Sequence, residues 1–178
     1  MSVSADGTLE FAARTPETTR TRLLTWQDPL RTAAAGAEMA GIDFMRAFAS
    51  GELPPPPIAV TMRAGPVEIA EGRVVFEGEP GEEHYNPIGV VHGGYAATLL
   101  DSAMGCAVHT TLPAGVGYTT LTLETKFVRP ITRETGRVRC EAEVVHRGRH
   151  QATAEARVTD AGGKVLAHAT ATCMIFGG

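Results

Sequence analysis

The sequence predicts an α+β fold, with an antiparallel sheet built around one long helix and a helical extension in front of it. Three observations carry this. The second half of the chain alternates apolar and polar residues with period two over successive segments, the mark of antiparallel strands with one wet face. The stretch Tyr95–Val108 is small and apolar on most helical faces, as in a helix with little exposure. The order of elements is strand, strand, helix, then four strands, which segregates one helix from a continuous sheet.

Taken in order, residues 1–28 are polar and rich in Thr and Arg, with the single Trp26, and read as an arm. From Pro29 to Ser50 an Ala-rich segment places Met39, Ile42, Met45 and Ala49 on one helical face, widened by Phe44 and Phe48. Gly51 is a stop signal, and Gly41 weakens the case for one straight helix. Pro54–Pro57 predict a stiff extended connector. Ile58–Met62 and Val67–Ala70 read as short strands, Glu71–Gly72 as a turn and Arg73–Glu77 as the returning strand. A polar loop with Asn86, Pro87 and Gly89 leads to the central helix, which ends before Pro113-Ala114-Gly115. Thr119–Val128 puts Leu121, Leu123 and Phe127 on one face. Arg137–Val145 does the same with Val138, Cys140, Ala142 and Val144, and Gln151–Thr159 with Ala152, Ala154, Ala156 and Val158. Val165–Phe176 is the last strand, and Arg147–Arg149 and Asp160–Gly163 are hairpin loops. The division expected is an arm and helical extension over 1–57 and a folded domain over 58–178.

At 178 residues the chain has the length of one domain with a real core. With a net charge of −4, nothing in the composition points to nucleic acid. Cys106, Cys140 and Cys173 are odd in number, sit in apolar contexts and form no CxxC, so buried free thiols in a reducing cytoplasm are expected. Asp6 and Glu10 stand where a secretory h-region would lie, and no apolar run approaches membrane-spanning length. His84, His109, His146, His150 and His168 lack metal-ligand spacing, so no metal is expected.

The chemistry concentrates between Glu83 and Met104. Asp101 is a lone carboxylate among Leu99, Leu100, Ala103 and Met104, and such a group is costly to bury uncompensated. Gly93 and Gly94, just ahead of the helix, let a ligand approach the backbone, and the first helical N–H groups point into that space. The stretch therefore offers an oxyanion-type donor and, about two turns later, a carboxylate.

The arrangement Asn86–x5–His92-Gly93-Gly94–x6–Asp101, followed by Thr119-Thr120 and Phe127-Val128-Arg129-Pro130, resembles the hotdog-fold acyl-CoA thioesterases of the phenylacetic-acid-degradation (PaaI-like) type. The resemblance covers roughly Ile58 to Phe176. It implies a sheet wrapped around the long helix, a homodimer paired into a tetramer, and coenzyme A needed only as part of the acyl-CoA substrate. It implies Asp101 as nucleophile or general base, Gly93 as oxyanion donor through its N–H, and His92 and Asn86 beside the thioester and the attacking water. Thr119, ahead of Thr120, is expected to position water from opposite the helix, and each site is expected to take Asp101 from one subunit and Gly93 from the other. Gly94, Tyr95 and Thr120 are substrate-binding candidates, and Arg147 and Arg149, with Arg129 and Arg133, are candidates for the phosphates of coenzyme A. Plainer uses compete: N-capping for His92, an Asn-Pro turn for Asn86, β-propensity for the threonines and surface charge for the arginines. A hotdog hydratase or dehydratase, and a non-catalytic acyl-thioester binding protein, are the alternative readings. Acyl-pocket depth is expected to depend on Tyr95, Leu99, Tyr118 and the extension, whose helix should dock near the acyl site because its apolar stripe needs burial.

Overall fold

Small residues decide how this domain packs. The inner face of the sheet carries Ala142, Ala152, Ala154, Ala156, Ala167, Ala169 and Ala171, all buried, which lets the sheet close tightly on helix α4 (Gly93–His109). In the computed structural model, residues 19–177 are described in full, with the backbone of two short paired strands, β1 (Ser2–Val3) and β2 (Leu9–Glu10). Most of the expected polar arm therefore lies outside the described residues.

The main sheet has six antiparallel strands: β3 (Ala64–Ala70), β4 (Arg73–Gly78), β5 (Gly117–Phe127), β6 (Val138–Arg147), β7 (Gln151–Thr159) and β8 (Val165–Phe176). Their order across the sheet is β3-β4-β6-β7-β8-β5. Leu100, Ala103, Met104, Ala107 and Val108 of α4 are fully buried against it. This is the hotdog architecture the sequence predicted, with β7 and β8 bounded as expected.

Three expectations are corrected. Ile58–Met62 is no strand: Pro57–Met62 forms the short helix α3. Pro57 occupies its first turn, where a missing N–H costs nothing and the fixed φ suits a helix, so the proline run starts a helix as well as stiffening a connector. The extension is not one helix but two, α1 (Pro29–Ala37) and α2 (Gly41–Ser50), broken at residues 38–40. The break lets Gly41 sit on the end of α4, its N–H donating to the Leu112 carbonyl at 3.0 Å. Finally, Leu121 does not face the helix with Leu123. A β-bulge between Thr120 and Thr122 leaves Leu121 half exposed and reverses the inward phase of β5.

The two edges of the sheet differ. The β3 edge carries Pro66 and a bulge and has α2 and α3 packed against it, devices that blunt strand addition. The β5 edge is eleven residues long and uncovered among the described residues.

Candidate active site

Asp101 lies midway along α4, half-buried. The Thr120 hydroxyl donates to its Oδ1 at 2.9 Å, which fixes the carboxylate and leaves Oδ2 free of that bond. The β5 bulge explains why the partner is Thr120. Ahead of it, Thr120 pairs across the sheet with buried Cys173 and faces α4, whereas Thr119 pairs with Met174 and faces outward, exposed. Thr119, ranked first from the sequence, therefore does not reach Asp101 within the protomer, and no spacing in the sequence marks the bulge that decides between the two.

Asp101 and Thr120 belong to the lining of a cavity of about 270 Å³ that runs along one face of α4 from Tyr95 to Cys106. Leu99, Gly105 and Tyr118 line it on the same side, with Thr98 and Ser102 as further polar residues. Cys106 is a competing nucleophile by position only: burial, aided by the negative charge of Asp101, pushes its thiol up to about 12, so almost no thiolate exists near neutral pH. Tyr95 is buried, with its ring 4.8 Å from that of His84. Its hydroxyl has no partner among the described residues and abuts Gly78, where a Cβ would approach it to 2.4 Å. Burial raises the Tyr95 phenol, so it stays protonated.

The remaining motif residues gather elsewhere. Asn86, His92 and Gly93 line a second hollow of about 390 Å³, together with Phe127 and Arg129. His92 caps α4, its Nδ1 accepting from the Gly94 N–H at 2.8 Å, which leaves the ring proton on Nε2. Asn86 Oδ1 accepts from the N–H groups of Ile88 and Val90, at 3.1 and 3.3 Å. Both residues thus have the plain structural uses the sequence allowed. The Gly93 N–H, by contrast, has no acceptor among the described residues. Phe127 leans over it, with its Cζ 3.1 Å from where a Gly93 Cβ would stand. Eight residues of helix, about 12 Å of rise, separate Gly93 from Asp101, so the two cannot act on one carbonyl carbon within a single protomer. Arg147 and Arg149 are exposed at the β6–β7 hairpin and line neither hollow. Among the described residues no group of three or more His, Cys, Asp or Glu is placed to hold a metal, and no helix is long and apolar enough to cross a membrane.

A half-buried helix carboxylate beside a mostly apolar cavity, on a six-stranded sheet wrapped about that helix, makes this a hotdog-fold protein with a candidate site on its central helix. Comparison with known proteins makes the class specific. The profile of the thioesterase superfamily matches residues 88–167. A phenylacetic acid degradation-related protein from Ralstonia eutropha is 30% identical, with a TM-score of 0.67 over 73% of this chain and 98% of that one. A variant of the phenylacetic acid degradation protein PaaI from Thermus thermophilus is 29% identical, with a TM-score of 0.61 over 67% and 98%. The PaaI protein of the E. coli phenylacetic acid degradation operon, at 20% identity, shares the fold, with a TM-score of 0.67 over 79% and 97%. No functionally curated protein matches the chain. The chain belongs to the thioesterase superfamily, among its PaaI-like hotdog members.

Proposed function

We propose that the protein is an acyl-CoA thioesterase in which Asp101 acts on the thioester as general base or nucleophile. The observation that carries this is the Thr120–Asp101 pair facing a mostly apolar cavity in which Asp101 is the charged group among the described lining residues. As a base, Asp101 takes a proton from water as its oxygen attacks the thioester carbonyl carbon. The carbonyl π pair moves onto oxygen, and the tetrahedral oxyanion accepts from the Gly93 N–H of a second copy. The C–S bond then breaks, and coenzyme A leaves as a thiolate that takes up the proton. As a nucleophile, Asp101 forms a mixed anhydride that water cleaves. Neither route needs a metal or a further cofactor.

The second copy is part of this reading because the donor and the carboxylate of one protomer stand too far apart. The open β5 edge supports it: eleven residues with one side of their backbone unpaired, flanked by exposed Leu121, Phe127 and Val128, suit antiparallel addition of another β5. A homodimer follows from this reading, its pairing into a tetramer is what the family resemblance adds, and the enzyme would work on soluble acyl-CoA in the cytoplasm. The test is a panel of aryl- and medium-chain acyl-CoA thioesters with detection of free thiol. Stoichiometric thiol and carboxylate release is the expected result. Hydration of a crotonyl-type substrate with no thiol release would contradict the proposal, as would tight binding of the whole panel without turnover.

A further inference from the structure

The wall of the cavity facing Asp101 comes from outside the region that the superfamily profile matches. Phe48 from α2, Pro56 and the α3 residues Ile58, Ala59 and Met62 all line it. So do Ala64 of β3 and Phe76 of β4, whereas Tyr118 and Thr120 come from β5. The sheet therefore curls so far around α4 that its two ends border one cavity, and α2 and α3 bridge the gap between them.

This wall is fixed by bonds at several points. The Arg22 guanidinium donates to the Thr61 carbonyl at 3.0 Å and also to that of Val60, both in the last turn of α3. It pairs with Glu83 at 3.3 Å. Because the Gly81 N–H donates to His84 Nδ1, the ring proton of His84 is on Nε2, which faces the Thr61 carbonyl at 3.3 Å. Farther back, the Gly115 N–H donates to the Ala37 carbonyl, and Phe44 packs on the His109 ring. Burial keeps the His109 ring neutral, its pKa lying below the usual histidine value. The Thr61 carbonyl, at the end of the helix, is met here by side chains from two other segments, Arg22 and His84, which ties α3 to the loop ahead of α4.

We infer that helix α2 of the N-terminal extension, together with the adjoining helix α3, is the specificity wall of the acyl pocket: Phe48, Ala59 and Met62 set the length of a neutral, apolar acyl group. This rests on the thioesterase reading above. The neutrality follows from the lining, in which, among the described residues, no Lys, Arg or His occurs and Asp101 is the one carboxylate. A second carboxylate on the acyl chain would meet no cation there and would be repelled by Asp101. The length follows from the volume. A cavity of about 150 Å³ holds a six-carbon ring, so 270 Å³ admits an acyl group of about ten carbons.

The test uses the full chain, a straight-chain acyl-CoA series from four to sixteen carbons, glutaryl-CoA and matching non-hydrolysable thioether analogues. Phe48→Ala and Met62→Ala open the wall and should raise the dodecanoyl-to-hexanoyl ratio of kcat/KM, and of thioether affinity, by about tenfold, since one methylene in a pocket is worth about that. Ala59→Phe fills the pocket and should lower the same ratio by a similar factor, which guards against a loss of folding in the opened variants. Arg46→Ala, on the exposed side of α2, should leave it unchanged. Glutaryl-CoA should be bound at least tenfold more weakly than hexanoyl-CoA. Hydrolysis with an unchanged length profile in folded Met62→Ala and Ala59→Phe would overturn the wall and leave the thioesterase reading intact. A length profile that shifts in thioether binding, in a protein that hydrolyses nothing, would support the wall and sink the thioesterase reading. Preference for glutaryl-CoA would overturn the neutral-pocket claim.

Discussion

Asp101→Asn is expected to lower kcat by about three orders of magnitude while acyl-CoA affinity stays within a few-fold, the range typical for loss of a positioned general base. The amide keeps the size of the carboxylate and can still accept from the Thr120 hydroxyl, whose bond to Oδ1 is 2.9 Å. The cavity keeps its shape, and only the group that takes the proton or attacks the carbon is gone. Thr120→Val tests the same geometry from the other side. It removes the hydroxyl with little change in volume, and should cost less than Asp101→Asn because the carboxylate remains. Free-thiol release under saturating substrate, with affinity read separately on a thioether analogue, separates the two effects. An Asp101→Asn protein that turns over within a few-fold of the parent would remove Asp101 from the mechanism.

The second large effect is structural. Gly41→Ala should destabilise the protein by about 3 kcal/mol, a fall of about 6–12 °C in Tm for a chain of this size. A Cβ at Gly41 would stand 1.8 Å from the His109 carbonyl oxygen, so α2 must lift from the end of α4. Lifting strains the Gly41 N–H bond to Leu112 at 3.0 Å and uncovers Met45, now 1% exposed. Met45 lies one turn after Gly41 on the same face, so its burial depends on that close approach. Calorimetry checks the stability. A Tm within 2 °C of the parent would show that the α2–α4 contact contributes little.

The period-two strands were the most legible part of the chain. In β7 and β8 every inward position is Ala, Val, Cys, Leu or Ile, and the alternation holds from Ala152 to Val158 and from Ala167 to Phe176, which is enough to set the extent of both strands. What the pattern could not carry was set by tertiary contact. Leu121 has the residue type of a core position, yet the bulge turns it outward and hands the inward place to Thr120. The apolar run Ile58–Met62 looks like a strand by composition, and only its place directly behind Pro56-Pro57 hinted at a helix start. The break at residues 38–40 had one signal, Gly41, whose close approach to His109 is invisible without the fold. The motif Asn86, His92, Gly93 and Asp101 was legible as residues. The helix geometry that parts Gly93 from Asp101 was legible too, because the spacing alone gives about 12 Å. The wall supplied by Phe48 and Met62 was not, since nothing in the sequence says where a docked helix points its side chains.

The central claim is that one active site joins Asp101 of one protomer to the Gly93 N–H of another, and subunit complementation tests it most directly. Gly93→Pro deletes that N–H at the first helical position, where proline is tolerated. His92 before it already has the extended backbone, φ −59° and ψ 138°, that a following proline requires. Asp101→Asn and Gly93→Pro chains carrying different tags are co-expressed and purified through both tags, and thiol release from the mixed oligomer is compared with that of each variant alone. Each variant alone should be nearly inactive. In a mixed dimer one of the two sites keeps both the carboxylate and the donor, so about a quarter to a half of the parent activity should return. Mixed oligomers no more active than the sum of the separate variants would contradict a site shared between protomers.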